Sequence, residues 1–256
     1  MKAVILAGGL GTRLREETEF RPKPMVDIGG RPIIWHIMKG LSCQGINDFI
    51  ICLGYKGDYI KDFFINYESR THDITVNLGK NGGLVQHSEF PAENWSVTLA
   101  NTGLVTHTGG RINKIKKYIA GERFLCTYGD GLADIDLKAL TRFHVEHGKT
   151  ATVTSVRPSN RFGTMQIDDN NTVKEFLEKP ISEKRVNGGF FIFEPSIFNF
   201  LSDLSVLEEE PLQTLSKSGE LKAYVHDGFW QAMDTHRESM ALNELWNSNN
   251  APWKIW

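Results

Sequence analysis

The run KAVILA at 2–7 passes straight into the turn GGLGTR at 8–13. An unbroken apolar, branched run bounded by glycines is a strand buried on both faces, and such strands belong to parallel sheets covered by helices. A strand that ends in a glycine turn also presents backbone N–H groups that suit a phosphate. The two common phosphate loops do not fit. A Walker loop needs Lys and then Ser or Thr after its last glycine, whereas Gly11 is followed by Thr12 and Arg13. A dinucleotide fingerprint begun at Gly9 needs Gly or Ala where Leu14 stands. The turn is phosphate-like but of a third kind, with its positive charge expected from Arg13 and a lysine further on.

The first half of the chain repeats the alternation. DFIICL (48–53), RFLCTY (123–128) and TATVTSV (150–156) read as buried strands. RPIIWHIMKGLSCQG (31–45) sets Ile33, Ile34, Ile37, Met38 and Leu41 at helical spacing. GDYIKDFFINY (57–67), RINKIKKYI (111–119) and DLKALTRFHVEHG (136–148) read as further helices. This order predicts an α/β fold, a mostly parallel sheet flanked by helices. Beyond about residue 155 the pattern changes to a hairpin over 163–178, a strand GGFFIF (188–193) and helical stretches near 195–217. The strands LKAYVH and FWQAMD and a helix over 235–247 follow. Residues 68–100 carry only short strand signals and are expected to be an insertion in a single domain spanning 1–256.

Charge excludes some partners. With 29 basic and 31 acidic side chains, nothing marks a bulk nucleic-acid or membrane surface, so a polyanion must be held by a local site. Cys43, Cys52 and Cys126 are odd in number, scattered and without zinc spacing, which predicts free thiols and a reducing compartment. The apolar run in MKAVILAGG is too short for a signal peptide, and no stretch approaches a membrane span. The chain is expected to be cytoplasmic.

Ligands of open parallel sheets bind beyond the carboxyl ends of the strands. Three chemically suited spots fall at such ends: Gly8–Arg13, Gly129–Asp130 and Asp234. In RPKP, Lys23 lies between two prolines on a stiff, non-helical mount, which suits a point charge for phosphate. Asp130 in TYGDG and Asp234 in FWQAMD each follow an apolar strand, and a parallel sheet can bring both to one edge. Two such carboxylates suit magnesium shared with phosphates. Without the ion they are expected to repel one another. Glu178 and Lys179 in EKP, with Asn187 before two glycines, suit sugar hydroxyls and a monophosphate. Each has a plainer alternative. Lys23 could be a loop lysine, Asp130 a turn residue, Asp234 a helix cap and Glu178–Lys179 a strand-end ion pair. His144 and His147 lie three apart but lack a third ligand, and read as a solvated helix face. No nucleophile with an adjacent base stands out. The set is suited to phosphoryl or nucleotidyl transfer by positioning and charge neutralisation.

LAGGLGTRL with RPKP, then GDG, EKP, NGGFFIF and FWQAMDT, resembles the sugar-1-phosphate nucleotidyltransferases over nearly the whole chain. Within that family the sequence is most similar to the group that transfers cytidylyl to glucose 1-phosphate. The stretches that carry this are EETEFRPKP, DFIICLGYKGDYIKDFF, TGGRI, TYGDGLADID and APWKIW, with Glu16 where thymidylyl- and uridylyl-transferring relatives usually have proline. The resemblance implies a Rossmann-like mixed sheet with sugar-binding β additions, the nucleotide-diphospho-sugar transferase type. It implies CTP and glucose 1-phosphate as substrates, Mg²⁺ as cofactor and a homo-oligomer. It places Leu6, Ala7, Gly8, Gly9, Leu10 and Gly11 around the nucleotide, with Thr12 and Arg13 on the β- and γ-phosphates. Lys23 falls on the α-phosphate, and Arg13 and Lys23 are the catalytic cations. Thr108, Gly110, Arg111 and Gly129 also reach the nucleotide. Gly163, Glu178, Lys179 and Asn187 bind glucose 1-phosphate, and Asp130 and Asp234 hold Mg²⁺. The product would feed deoxysugar synthesis for surface polysaccharide. Two rivals remain on the residues alone: the same transfer from UTP or dTTP, and a non-catalytic binding or regulatory protein of this fold.

Overall fold

The computed structural model describes residues 1–79, 82–87, 93–159, 162–178 and 180–256, apart from the side chains of Arg13, Arg15 and Glu16. Among the described residues the centre is an eight-stranded sheet. Its strands are β1 (Lys2–Ala7), β2 (Asp48–Leu53), β3 (Ser96–Asn101), β4 (Phe124–Tyr128), β5 (Ala151–Val156), β6 (Val186–Asn187), β7 (Phe191–Phe193) and β8 (Leu221–Val225). β1 lies between β4 and β2, β3 lies outside β2, and these four run parallel. β7 pairs antiparallel with β4 and β5, and β5 pairs in parallel with β8. The sheet is therefore mixed, as expected, with its parallel half built from the N-terminal strands.

The period-2 alternation of strand side chains divides the interior in two. Ala3, Ile5 and Ala7 of β1, with Phe49, Ile51 and Leu53 of β2, enter one core; Val4, Leu6, Ile50 and Cys52 enter the other. The covering helices include α1 (Ile33–Ser42), α2 (Gly57–Ile65), α3 (Thr108–Lys114), α4 (Leu137–His147), α5 (Glu210–Lys217) and α6 (His236–Asn247). Residues of α1, α2, α4 and α6 join the first core, and residues of α3 and α5 join the second. Each fully buried Ile or Leu contributes about 2 kcal/mol to this arrangement. Among the described residues no helix is long and apolar enough to cross a membrane. All three cysteines are free; Cys52 and Cys126 are buried and Cys43 is exposed.

Three expectations need correction. The region 68–100 is not wholly an insertion, because Ser96–Asn101 is the edge strand of the central sheet. Before it stands an exposed hairpin, Asp73–Asn77 against Gly83–His87. The run 111–119 is not one helix: Ile115 leaves helical geometry at φ −95°, ψ 5°, and separates α3 from a short turn, Lys116–Ile119. His144 is not on a solvated face. It is 1 % exposed, with Nδ1 2.7 Å from Thr152 Oγ1 and Nε2 3.2 Å from Glu194. Burial, reinforced by Arg123, pushes its pKa down to about 4.

Candidate active site

β1 and β4 are parallel neighbours, so their carboxyl ends deliver Gly8–Thr12 and Gly129–Asp130 to one edge. Gly11 turns the chain at φ +65°, a conformation that residues with a Cβ rarely adopt. Thr12–Leu14 then coil into a 3₁₀ turn. Thr18 Oγ1 fastens it by donating to the carbonyls of Gly11 at 3.1 Å and Leu14 at 2.9 Å. A cavity of about 400 Å³ opens over this turn, lined by Gly8, Gly11, Thr12, Lys23, Thr108 and Asp130 among others. Leu6, Ala7, Gly9 and Gly129 line it too, whereas Leu10 is 54 % exposed and does not.

Lys23 sits in a short 3₁₀ turn, Lys23–Met25, rather than in non-helical chain. Proline is tolerated in a first helical turn because its missing N–H would have had no partner there. The Lys23 ammonium is mostly buried and lies 2.5 Å from Asp130 Oδ2 and 2.6 Å from Asp234 Oδ1. The parallel sheet does not bring Asp234 to this place, contrary to expectation. Trp230–Ala232 pairs antiparallel with Gly131–Ala133 in a separate ribbon, with Ala232 opposite Gly131 and Met233 N donating to Asp130 O at 2.9 Å. Asp234 is not the helix cap either. Thr235 caps α6 in a capping box with Glu238. Nor do the two carboxylates face each other uncompensated, since one ammonium stands between them.

A pair of carboxylates already sharing a cation suits a divalent ion. Among the described residues no group of three or more His, Cys, Asp or Glu side chains could hold a metal. An ion at Asp130 and Asp234 would complete its shell with phosphate and water oxygens, the usual manner of magnesium in nucleotide sites.

Arg111 borders the cavity, yet its guanidinium is turned to the protein. Nη1 donates to Leu53 O at 2.9 Å, Thr102 Oγ1 at 2.7 Å and Gly103 O at 2.8 Å; Nη2 donates to Gly8 O at 3.0 Å. Gly8 permits this, because a Cβ there would stand 2.1 Å from Arg111 Nη1. Burial pushes the Arg111 pKa down, and the carbonyls take the place of a counter-ion. Gly110 does not line the cavity. Its bareness makes room for Asp203 O, 2.3 Å from where a Cβ would lie. Asn187 is held at both ends, its Nδ2 donating to Tyr128 Oη at 3.1 Å and its Oδ1 accepting from Gly189 N at 2.8 Å. Gly163 and Glu178 lie together at the base of the hairpin Thr164–Ile167/Val173–Leu177, outside the cavity lining; a Cβ on Gly163 would stand 3.0 Å from Glu178 Oε2. Lys179 and the Arg13 side chain fall outside the described residues. Five cavity residues carry no sequence signal of their own: Thr106, His107, Tyr128, Val206 and Glu208.

A glycine turn at a parallel sheet edge, with one lysine between two carboxylates, defines a protein that handles nucleotide phosphates. A family model described as Nucleotidyl transferase matches residues 2–238, and the chain belongs to that family. It is 51 % identical over 259 residues to Glucose-1-phosphate cytidylyltransferase of Salmonella typhi, with all of both chains covered. The protein of the same name from Salmonella typhimurium is equally similar. Among solved structures, HddC from Yersinia pseudotuberculosis matches with a TM-score of 0.69 and 27 % identity, over 96 % of this chain and 99 % of that one.

Proposed function

We propose that this chain transfers the cytidylyl group of CTP to the phosphate of α-D-glucose 1-phosphate, forming CDP-glucose and pyrophosphate. The observation that carries the reaction type is Lys23 between Asp130 and Asp234 beside the glycine turn. The full-length identity to the Salmonella cytidylyltransferases supports CTP and glucose 1-phosphate as the pair. A phosphate oxygen of the sugar phosphate attacks the α-phosphorus in line. The bond from that phosphorus to the bridging oxygen breaks, and pyrophosphate leaves with the oxygen. The attacker is already an anion, so no general base is required.

The glycine turn and Thr12 would hold the triphosphate through N–H and hydroxyl donors, with Arg13 on its outer phosphates. Lys23 would exchange its carboxylates for α-phosphate oxygens and stabilise the charge that shifts there as the bond forms. Asp130 and Asp234 would hold Mg²⁺, which when bound neutralises phosphate charge. Gly163, Glu178, Lys179 and Asn187 would receive glucose 1-phosphate. We take the working form to be a cytoplasmic homo-oligomer of one-domain chains.

Pyrophosphate release with glucose 1-phosphate and each nucleoside triphosphate in turn tests the reading. CTP should exceed UTP and dTTP by at least about tenfold in kcat/KM, a gap of about 1.4 kcal/mol. Equal rates with UTP would overturn the cytidylyl assignment alone. No release with any triphosphate would favour a non-catalytic binding protein.

A further inference from the structure

We infer that Glu208 is a specificity-determining residue of this site: its carboxylate accepts a hydrogen bond from a neutral donor on the nucleoside and, by its charge, keeps the phosphates at the Lys23 end. The inference rests on the nucleotidyl-transfer reading. Glu208 lines the same cavity as the glycine turn and Lys23. It is fixed rather than free to swing. Oε1 accepts from Tyr128 Oη at 2.6 Å, and Oε2 accepts from Thr108 Oγ1 at 2.6 Å. Its neighbour Leu207 is fully buried and donates its N–H to the same Thr108 oxygen at 3.0 Å. The carboxylate is thus tied to the last residue of β4 and the first residue of α3.

Both partners are hydroxyls, and among the described residues no cation pairs with Glu208. Glu208 is exposed at the rim of the cavity, and a carboxylate there whose described partners carry no positive charge repels phosphate, the more weakly for its contact with solvent. The phosphates therefore belong at the end with the glycine N–H groups and Lys23, and the uncharged part of the ligand faces Glu208. Each carboxylate oxygen has accepted one hydrogen bond and retains a second lone pair, which suits a ribose hydroxyl or an amino N–H. Burial and the adjacent carboxylate raise the Tyr128 phenol pKa, so that phenol remains a donor to Glu208. The nucleoside is favoured over the hexose because Glu208 shares its cavity with Gly8, Gly9 and Thr108, whereas Gly163 and Glu178 stand outside it.

The test is Glu208→Gln, which keeps size and one acceptor and removes the charge. Binding of Mg–CTP, measured by calorimetry, should weaken about tenfold, the effect of one hydrogen bond to a charged group. Inhibition by pyrophosphate should be unchanged or tighter, and KM for glucose 1-phosphate should stay within about twofold. Tyr128→Phe retains the charge and should retain the preference for CTP over pyrophosphate. The inference is overturned if CTP and pyrophosphate weaken together in Glu208→Gln, if CTP affinity stays within about twofold, or if the glucose 1-phosphate KM is the constant that rises. Loss of discrimination in Tyr128→Phe as large as in Glu208→Gln also overturns it. Wild-type pyrophosphate release from CTP is run alongside, and its absence would defeat the functional reading instead.

Discussion

The two duties proposed for Lys23 separate experimentally. As a charge near the α-phosphate it would act on the transition state, and losing such a contact costs roughly 3–4 kcal/mol, or two to three orders of magnitude in kcat. Lys23→Met should therefore lower kcat far more than it weakens CTP binding; a near-normal kcat with weak CTP binding would reassign Lys23 to ground-state binding. As the cation between Asp130 and Asp234 it also offsets their mutual repulsion. Lys23→Met without nucleotide should consequently melt below wild type. It should also gain more thermal stability from added Mn²⁺, since the ion no longer competes with an ammonium for the two carboxylates. Equal Mn²⁺ shifts in the two proteins would count against that competition. The same geometry changes the forecast for the carboxylates. Asp130→Asn removes a charged hydrogen-bond partner rather than relieving repulsion, and should cost about 1–2 kcal/mol of stability as well as activity. A melt unchanged from wild type would show that the Lys23–Asp130 contact contributes nothing to the fold.

At the scale of elements, Arg111 joins α3 to the ends of β1 and β2 through carbonyls at 8, 53 and 103. A guanidinium reaches these several acceptors at once, and an ammonium does not. Arg111→Met would strip Gly103 O of its donor, whereas Gly8 O keeps the Tyr55 N–H and Leu53 O keeps the N–H and hydroxyl of Thr102, so a loss of about 1–3 kcal/mol is expected in urea unfolding. Arg111→Lys should recover only part of it. An unchanged urea midpoint with lost CTP binding would return Arg111 to the direct nucleotide role that the family resemblance implies. Here the limits of the sequence are physical. β1, its glycine turn, Lys23 between prolines and the strand-end aspartates are legible because each is a local pattern. Apart from the Thr102 hydroxyl, the partners of Arg111 are backbone carbonyls, and a carbonyl has no letter in a sequence. Tyr128 and Glu208 meet only because segment 202–208 packs onto bare Gly109 and Gly110, through Ser205 and Asp203. No spacing announces that contact. Gly8, read as a phosphate glycine, is bare at least in part to admit Arg111.

Across the whole molecule, what burial writes into the sequence was readable and what it does not write was not. β1, β2 and β4 are buried almost throughout and read as apolar runs, whereas β3 is an edge strand of mixed exposure and the hairpin before it is exposed at every residue. The tail segment 251–256 also has no periodicity, yet Trp253 is 1 % exposed and belongs to the first core. Its anchor is His36 of α1. His36 Nε2 donates to Ile28 O at 2.8 Å, and Nδ1 accepts from Trp253 Nε1 at 3.4 Å. That arrangement requires the neutral ring, because a proton on Nδ1 would set two N–H groups against each other. Burial accordingly pushes the His36 pKa down to about 4. A histidine titrates near 6.5 in the unfolded chain, so its unfolded form binds protons first as the pH drops. The stability held by neutral His36 is complete above about pH 6.5 and is lost as pH falls toward about 4, in all about 3 kcal/mol. Buried His144 shifts in the same direction and adds to the slope. His36→Gln keeps a donor for Ile28 O and does not titrate. Its melting temperature should lie below wild type at pH 7.5, and the gap should narrow steadily between pH 6.5 and 4.5. Two melting curves that stay parallel over that range would show that His36 does not gate the acid stability of the joint between tail and core.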